Sequence, residues 1–158
     1  MATPRVCSVA RSLEVVGERW SLLVLREVFL GVRRFDQIQL HTGAPRAVLA
    51  QRLRTLVEAG VLERRDYRPP EGRTRQEYRL TAAGRELQPV LTALMQWGDR
   101  HLAGPEGPPL RVLHRGCGAP VRARLVCDEG HLLADDGREL EPVGPGAAGP
   151  ASSPAAAG

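Results

Sequence analysis

Two short helical segments joined by a glycine turn, with a basic hairpin directly after them, restrict this sequence more than any other feature. Phe35, Ile38 and Leu40 place a short helix over residues 34–40, and His41-Thr42-Gly43-Ala44 reads as a tight turn. From Pro45, which suits a helix's first position, a second helix runs to Ala59 and is closed by Gly60. On that helix Leu49, Leu53 and Leu56 share one face and should pack inward. Ala47, Gln51, Arg54 and Glu58 lie on the opposite face, with Arg46 and Ala50 flanking it at the N-terminal end.

The chemistry of the outward face suits a groove. Small side chains at Ala47 and Ala50 let a helix approach closely, and Arg46, Gln51 and Arg54 have the reach and donors for base edges or phosphates. An ordinary solvated helix carries the same residue types, so the face alone decides nothing. The next stretch of chain is more informative. Val61 to Tyr67 is strand-like, Pro69-Pro70-Glu71-Gly72-Arg73-Thr74 is a loop, and Arg75 to Leu80 returns. Arg68, Arg73 and Arg75 at the tip could rest on phosphates or enter a minor groove. Any hairpin tip gathers charge, but a hairpin placed directly after such a helix is more specific than either part. The combination predicts a mainly α protein with a small β-wing, a winged helix-turn-helix that binds duplex DNA.

Upstream, Val9, Leu13 and Val16 mark a first helix ended by Gly17. Ser21 can cap the next, which carries Leu22, Leu23, Leu25, Val28 and Phe29 and stops at Gly31. Downstream, Thr81 caps a helix to about Leu102, with Pro89 a local break or kink. Its stripe of Leu87, Val90, Leu91, Leu94 and Trp97 is more apolar surface than one small domain readily covers. Packing within the domain is one reading. A homodimer seam shared with the first helix is the other, and paired recognition helices would match two-fold half-sites.

Charge follows the same division. Residues 1–100 hold 17 arginines against 11 acids, and residues 101–158 hold 5 against 7, so the basic part is the N-terminal one. A basic surface there suits a polyanion. The chain contains no lysine, which GC-rich codon usage explains as well as recognition does. No apolar run approaches the length of a membrane span, and Met1-Ala2-Thr3-Pro4-Arg5 lacks the apolar segment of an export signal. The expectation is a cytoplasmic protein with no membrane partner, whose three cysteines are reduced.

The organisation read from composition is a winged-helix and dimerisation domain over 1–102, a Gly/Pro linker over 103–110, a small Cys/His segment over 111–141 and a disordered Gly/Pro/Ala/Ser tail over 142–158. In the Cys/His segment, His114-Arg115-Gly116-Cys117-Gly118 has the form of a metal knuckle. After a strand-like Val121–Val126 comes Cys127-Asp128-Glu129-Gly130-His131. A small zinc-ribbon-like or β-hairpin extension is expected, with His114, Cys117, Cys127 and His131 as ligands of a structural zinc ion. Gly130 stands where a ribbon would usually have its second cysteine, so a hairpin that holds no metal is the competing reading. Nothing suggests an enzyme. There is no phosphate-binding glycine loop and no nucleophile, base and orienter set, and Asp135, Asp136 and Glu139 read as a solvated turn.

Several ordered blocks at compatible spacing resemble the HxlR family of bacterial winged-helix regulators over roughly residues 5–102. They are Cys7-Ser8-Val9-Ala10-Arg11, Gly17-Glu18-Arg19-Trp20-Ser21-Leu22-Leu23-Val24-Leu25-Arg26 and Gly31-Val32-Arg33-Arg34-Phe35. Further on come Leu49-Ala50-Gln51-Arg52-Leu53-Arg54-Thr55-Leu56, Glu58-Ala59-Gly60-Val61-Leu62, Glu77-Tyr78-Arg79-Leu80-Thr81 and Gly84. The resemblance implies a homodimeric, sequence-specific DNA-binding regulator without enzymatic activity, whose helix at 45–59 enters the major groove. Ser8 stands where the family often has proline, and the segment beyond 103 lies outside the common core. Cys7 matches an N-terminal cysteine that some relatives use to sense oxidants or electrophiles; a small buried hydrophobe is the other reading of it. The expected action is repression by promoter occupancy, under an effector, small molecule or oxidant, that the residues do not identify. The alternative is a winged-helix interaction or dimerisation module without specific DNA binding.

Overall fold

The computed structural model describes residues 7–68 and 73–144. It divides into two compact units, one ending at Ala123 and one beginning at Arg124. The expected loop residues Pro69 to Gly72, and the expected disordered tail from residue 145 on, lie outside the described residues. Among the described residues no helix is long and apolar enough to cross a membrane.

The first unit is built on α1 (Ser8–Val16), α2 (Arg19–Phe29), α3 (Phe35–Thr42) and α4 (Arg46–Glu58). Val24, Leu25 and Val28 share one face of α2 and form the centre of the core. Ile38 from α3 and Leu49, Leu53 and Leu56 from α4 close around them, all four at most 1% exposed. Full burial of one such side chain stabilises by about 1.5–3 kcal/mol, so the leucine face read on α4 is what anchors that helix.

Three expected helix boundaries move. Ser21 does not cap α2: Glu18, in an extended conformation, takes the N-cap position, and Ser21 lies a turn inside. Its side chain is fully buried, and its hydroxyl has no hydrogen-bond partner among the described residues. Pro45 sits one place earlier than expected, at the N-cap of α4 with φ −56° and ψ 136°. Its missing N–H still costs nothing at that point of a helix. Between the helices, the Thr42 hydroxyl donates to the Ile38 carbonyl at 2.7 Å, so α3 runs two residues further than expected. Gly43 then reverses the chain at φ +69°, where a side chain would be strained.

The wing is an antiparallel pair, β1 (Leu62–Tyr67) and β2 (Arg75–Leu80), in register from Leu62 opposite Leu80 to Tyr67 opposite Arg75. Its root has a third participant. The Tyr78 N–H donates to the Arg33 carbonyl at 2.8 Å and Arg34 bridges to Glu77, which ties the segment before α3 to β2.

Thr81 caps as expected, accepting from the Gly84 N–H at 3.0 Å while its hydroxyl donates to the Gly60 carbonyl at 2.6 Å. One side chain thus joins the end of α4 to the start of the next helix. The single helix expected after it is two, α5 (Ala82–Arg85) and α6 (Gln88–His101). Pro89 stands at the first turn of α6, so it starts a helix rather than kinking one.

Beyond α6 the described residues make tight turns in place of regular strands. In the first unit the Val121 N–H donates to the Val112 carbonyl at 2.8 Å and Leu113 bridges to Pro120. The Gln96 carboxamide on α6 holds this segment, donating to the Val121 carbonyl at 2.8 Å and accepting from the Ala123 N–H at 3.0 Å. In the second unit Val126 bridges to Leu132, and Arg124 pairs with Asp135 at 2.6 Å. The strand expected over 121–126 does not form, because its backbone groups are divided between the α6 side chain and these isolated bridges.

Candidate nucleic-acid interface

The outward face of α4 carries what the sequence placed there. Arg46, Ala47, Gln51 and Arg54 are exposed and Ala50 is half-buried. The Arg54 guanidinium donates to the Gln51 carboxamide oxygen at 2.9 Å, so the two present a joined donor surface one helical turn long. Arg46 behaves differently. Its guanidinium lies 4.9 Å over the Phe35 ring and 3.9 Å from the Asp36 carboxylate, resting on the first turn of α3 with its side chain 73% exposed.

The wing residues Arg68, Arg73 and Arg75 are also exposed, at the end of the ribbon away from the core. Between α3 and the wing lies a polar cleft of about 420 Å³ whose walls include Arg34, Phe35, Tyr67 and Arg75. The Arg34 guanidinium lies 4.7 Å over the Tyr67 ring. Sequence reasoning missed Arg34 and Tyr67. The adjacent Arg33-Arg34 pair before the helix was a signal, but the stack joins residues that only the fold brings together. Phe35 connects the parts: Arg46 covers its ring, and it lines the cleft with Arg34 and Arg75. Exposed guanidinium groups therefore run from the start of α4, past the start of α3, to the ribbon. Planar guanidinium groups held by aromatic faces are suited to phosphate and base-edge contacts.

Behind this surface is a buried charge. Glu27 on α2 is 4% exposed. One carboxylate oxygen pairs with the neighbouring Arg26 at 2.6 Å, and the other lies 2.9 Å from His41 Nδ1 near the end of α3. A carboxylate only accepts, so Nδ1 carries the hydrogen of that bond. The contact fixes α3 to α2 and thereby the angle at which the helix-turn-helix is presented.

The remaining candidate residues lie elsewhere. Cys7 is exposed at the N-cap of α1. In the first unit His114 Nδ1 is 3.3 Å from Cys117 Sγ, in a turn where a Cβ on Gly116 would come within 2.8 Å of the His114 ring. In the second unit Cys127 Sγ is 3.4 Å from His131 Nδ1. Among the described residues no group of three or more His, Cys, Asp or Glu side chains is gathered as a metal site. Val9 and Leu13 on α1, and Val90, Leu94 and Trp97 on α6, are large apolar side chains left exposed, each about half or more.

A helical core, a two-stranded wing after the second helix of the turn, and a basic face on that helix define a winged helix-turn-helix protein. Residues 15–105 match the HxlR-like helix-turn-helix family, and the chain belongs to that family. An uncharacterised helix-turn-helix-type transcriptional regulator of Mycobacterium tuberculosis is 54% identical over 121 residues, which are 76% of this chain and 75% of that one. A Synechocystis protein of the same description is 41% identical over 98 residues, 61% of this chain and 71% of its own. The crystal structure of PA1607, solved as a candidate transcription factor, superimposes with a TM-score of 0.72 at 38% identity, covering 86% of this chain and 94% of that one.

Proposed function

We propose that the chain is a sequence-specific DNA-binding transcriptional regulator, not an enzyme, and that it acts as a homodimeric repressor. The observation that carries this reading is the run of exposed guanidinium groups from Arg46 and Arg54 on α4, past Arg34, to Arg75 on the wing. Its relatives' description as transcriptional regulators supports it. The exposed apolar residues of α1 and α6 support the dimer, which would set two recognition helices about one turn of duplex apart. A dimer seated across a promoter represses by excluding other proteins from it. Fluorescence anisotropy with DNA from upstream of its own gene tests the proposal. Saturable binding should survive random competitor and fall steeply with salt, by about 0.9 in logarithmic slope per phosphate contact. Binding no tighter than to random DNA, at every salt concentration and on promoter DNA recovered by genomic selection, would point to an interaction scaffold instead.

We also propose that the Cys/His segment takes up zinc, with His114, Cys117, Cys127 and His131 as the donors. Thiolate and imidazole together suit that ion, and its role with four protein donors would be structural. Within each pair the sulfur–nitrogen separation, 3.3 and 3.4 Å, is near the edge of a zinc tetrahedron, about 3.5 Å from ordinary bond lengths. Protein purified under reducing conditions should contain zinc by atomic emission, and Cys117→Ser or Cys127→Ser should lose it. Metal-free protein, or zinc unaffected by both substitutions, would discard the idea.

A further inference from the structure

A cavity of about 300 Å³ lies between α2 and α6. Leu23 and Phe29 on α2, Leu91 and Met95 on α6, and Leu110 beyond it make its walls apolar. The volume is at the lower end of the range that small-molecule sites occupy. Two neighbouring residues of α6 set its chemistry.

Gly98 is inside the helix, and a Cβ built on it meets nothing within 4 Å. Alanine there would favour the helix by about 0.5–1 kcal/mol, so the chain's own packing does not ask for glycine. What the glycine supplies is open space in the cavity wall. Asp99 lines the same cavity, is half-buried, and forms no ion pair with any described residue. The other charged group there, Arg26, is already paired with Glu27. The cavity thus offers one uncompensated negative charge in an apolar wall. Partial withdrawal of a carboxylate from water without a counter-charge is unfavourable, and a cation beside it would offset that cost.

We infer that this cavity binds a small amphipathic cation, its apolar body between α2 and α6 and its positive charge at Asp99. The inference goes beyond the DNA-binding reading and does not rest on it, so the test contains no DNA. The full chain is titrated with three aromatic dyes of similar size: cationic thioflavin T, neutral N-phenyl-1-naphthylamine and anionic 1-anilinonaphthalene-8-sulfonate. Thioflavin T should saturate at about one dye per chain and bind at least about tenfold more tightly than the sulfonate. Asp99→Asn should weaken thioflavin T by about tenfold and leave the neutral dye within about twofold. Gly98→Leu should abolish binding of both while the melting temperature holds or rises and the sedimenting mass stays the same. Equal or tighter binding of the anion, or thioflavin T affinity unmoved by either substitution, would overturn the inference. Loss of an assembly in Gly98→Leu would overturn it too, assigning the cavity to a second copy of the chain.

Discussion

Gly84→Ala is expected to destabilise this protein by about 3 kcal/mol, a fall of roughly 10 °C in melting temperature. The substitution is ordinarily favourable inside a helix, because alanine loses less backbone freedom on folding. Gly84 is in α5 and its φ is not positive, so conformation does not forbid a side chain. Space does. A Cβ would stand 2.1 Å from the Val61 carbonyl oxygen and 3.1 Å from Leu80 Cδ2. The carbonyl cannot swing away, since it accepts from the Thr81 N–H at 3.2 Å and lies 3.1 Å from the Thr81 hydroxyl. Relief therefore requires moving α5 off the junction of α4 and β1, which also strains the Thr81 cap. Gly98→Ala is the control: its Cβ meets nothing, and it should stabilise by about 0.5–1 kcal/mol. Urea melts of the two variants should shift in opposite directions. A Gly84→Ala protein as stable as the parent would mean that α5 is not held against Val61.

The parts of the fold that were legible are those decided within one or two turns of chain. Leu49, Leu53 and Leu56 announce the buried face of α4, and all three are at most 1% exposed. Gly43 and Gly60 mark reversals and both have positive φ. Ser21 misled because a capping residue is recognised by type, while the cap position is decided by backbone conformation. Glu18 holds the extended conformation and Ser21 is packed inside. Pro89, read as a break or a kink, marks the break between α5 and α6 and does not kink a continuous helix. Of the exposed arginines that make up the candidate interface, those on α4 and the ribbon could be read from helical phase and hairpin position. Arg34 could not, because its place depends on Tyr67, and the two meet only once the wing folds back beside α3. Glu27 was equally hidden: an acid in an apolar helix gives no sign that Arg26 and His41 will enclose it.

Replacing Arg46 and Arg54 together by alanine should weaken DNA binding by about 2–6 kcal/mol, roughly 30- to 20,000-fold, with little change in stability. Both side chains are exposed, and neither contributes to the core beneath α4. The losses at stake are a 2.9 Å hydrogen bond from Arg54 to Gln51 and the stacking of Arg46 on Phe35. On an exposed surface these are worth about 0.5–1 kcal/mol each at most. The single variants separate two ways in which the arginines could act. A guanidinium that reads a base edge relaxes preference at one position when removed, whereas one that holds a phosphate weakens all sequences alike and lowers the salt slope by about one. Arg54, joined to Gln51 in mid-helix, is placed for the first. Arg46 lies on the first turn of α3 and is placed for the second. Arg75→Ala on the wing should behave like Arg46→Ala, with a lower salt slope and an unchanged sequence preference. Affinity and slope unmoved in the double variant, with wild-type melting, would mean that α4 does not face the DNA.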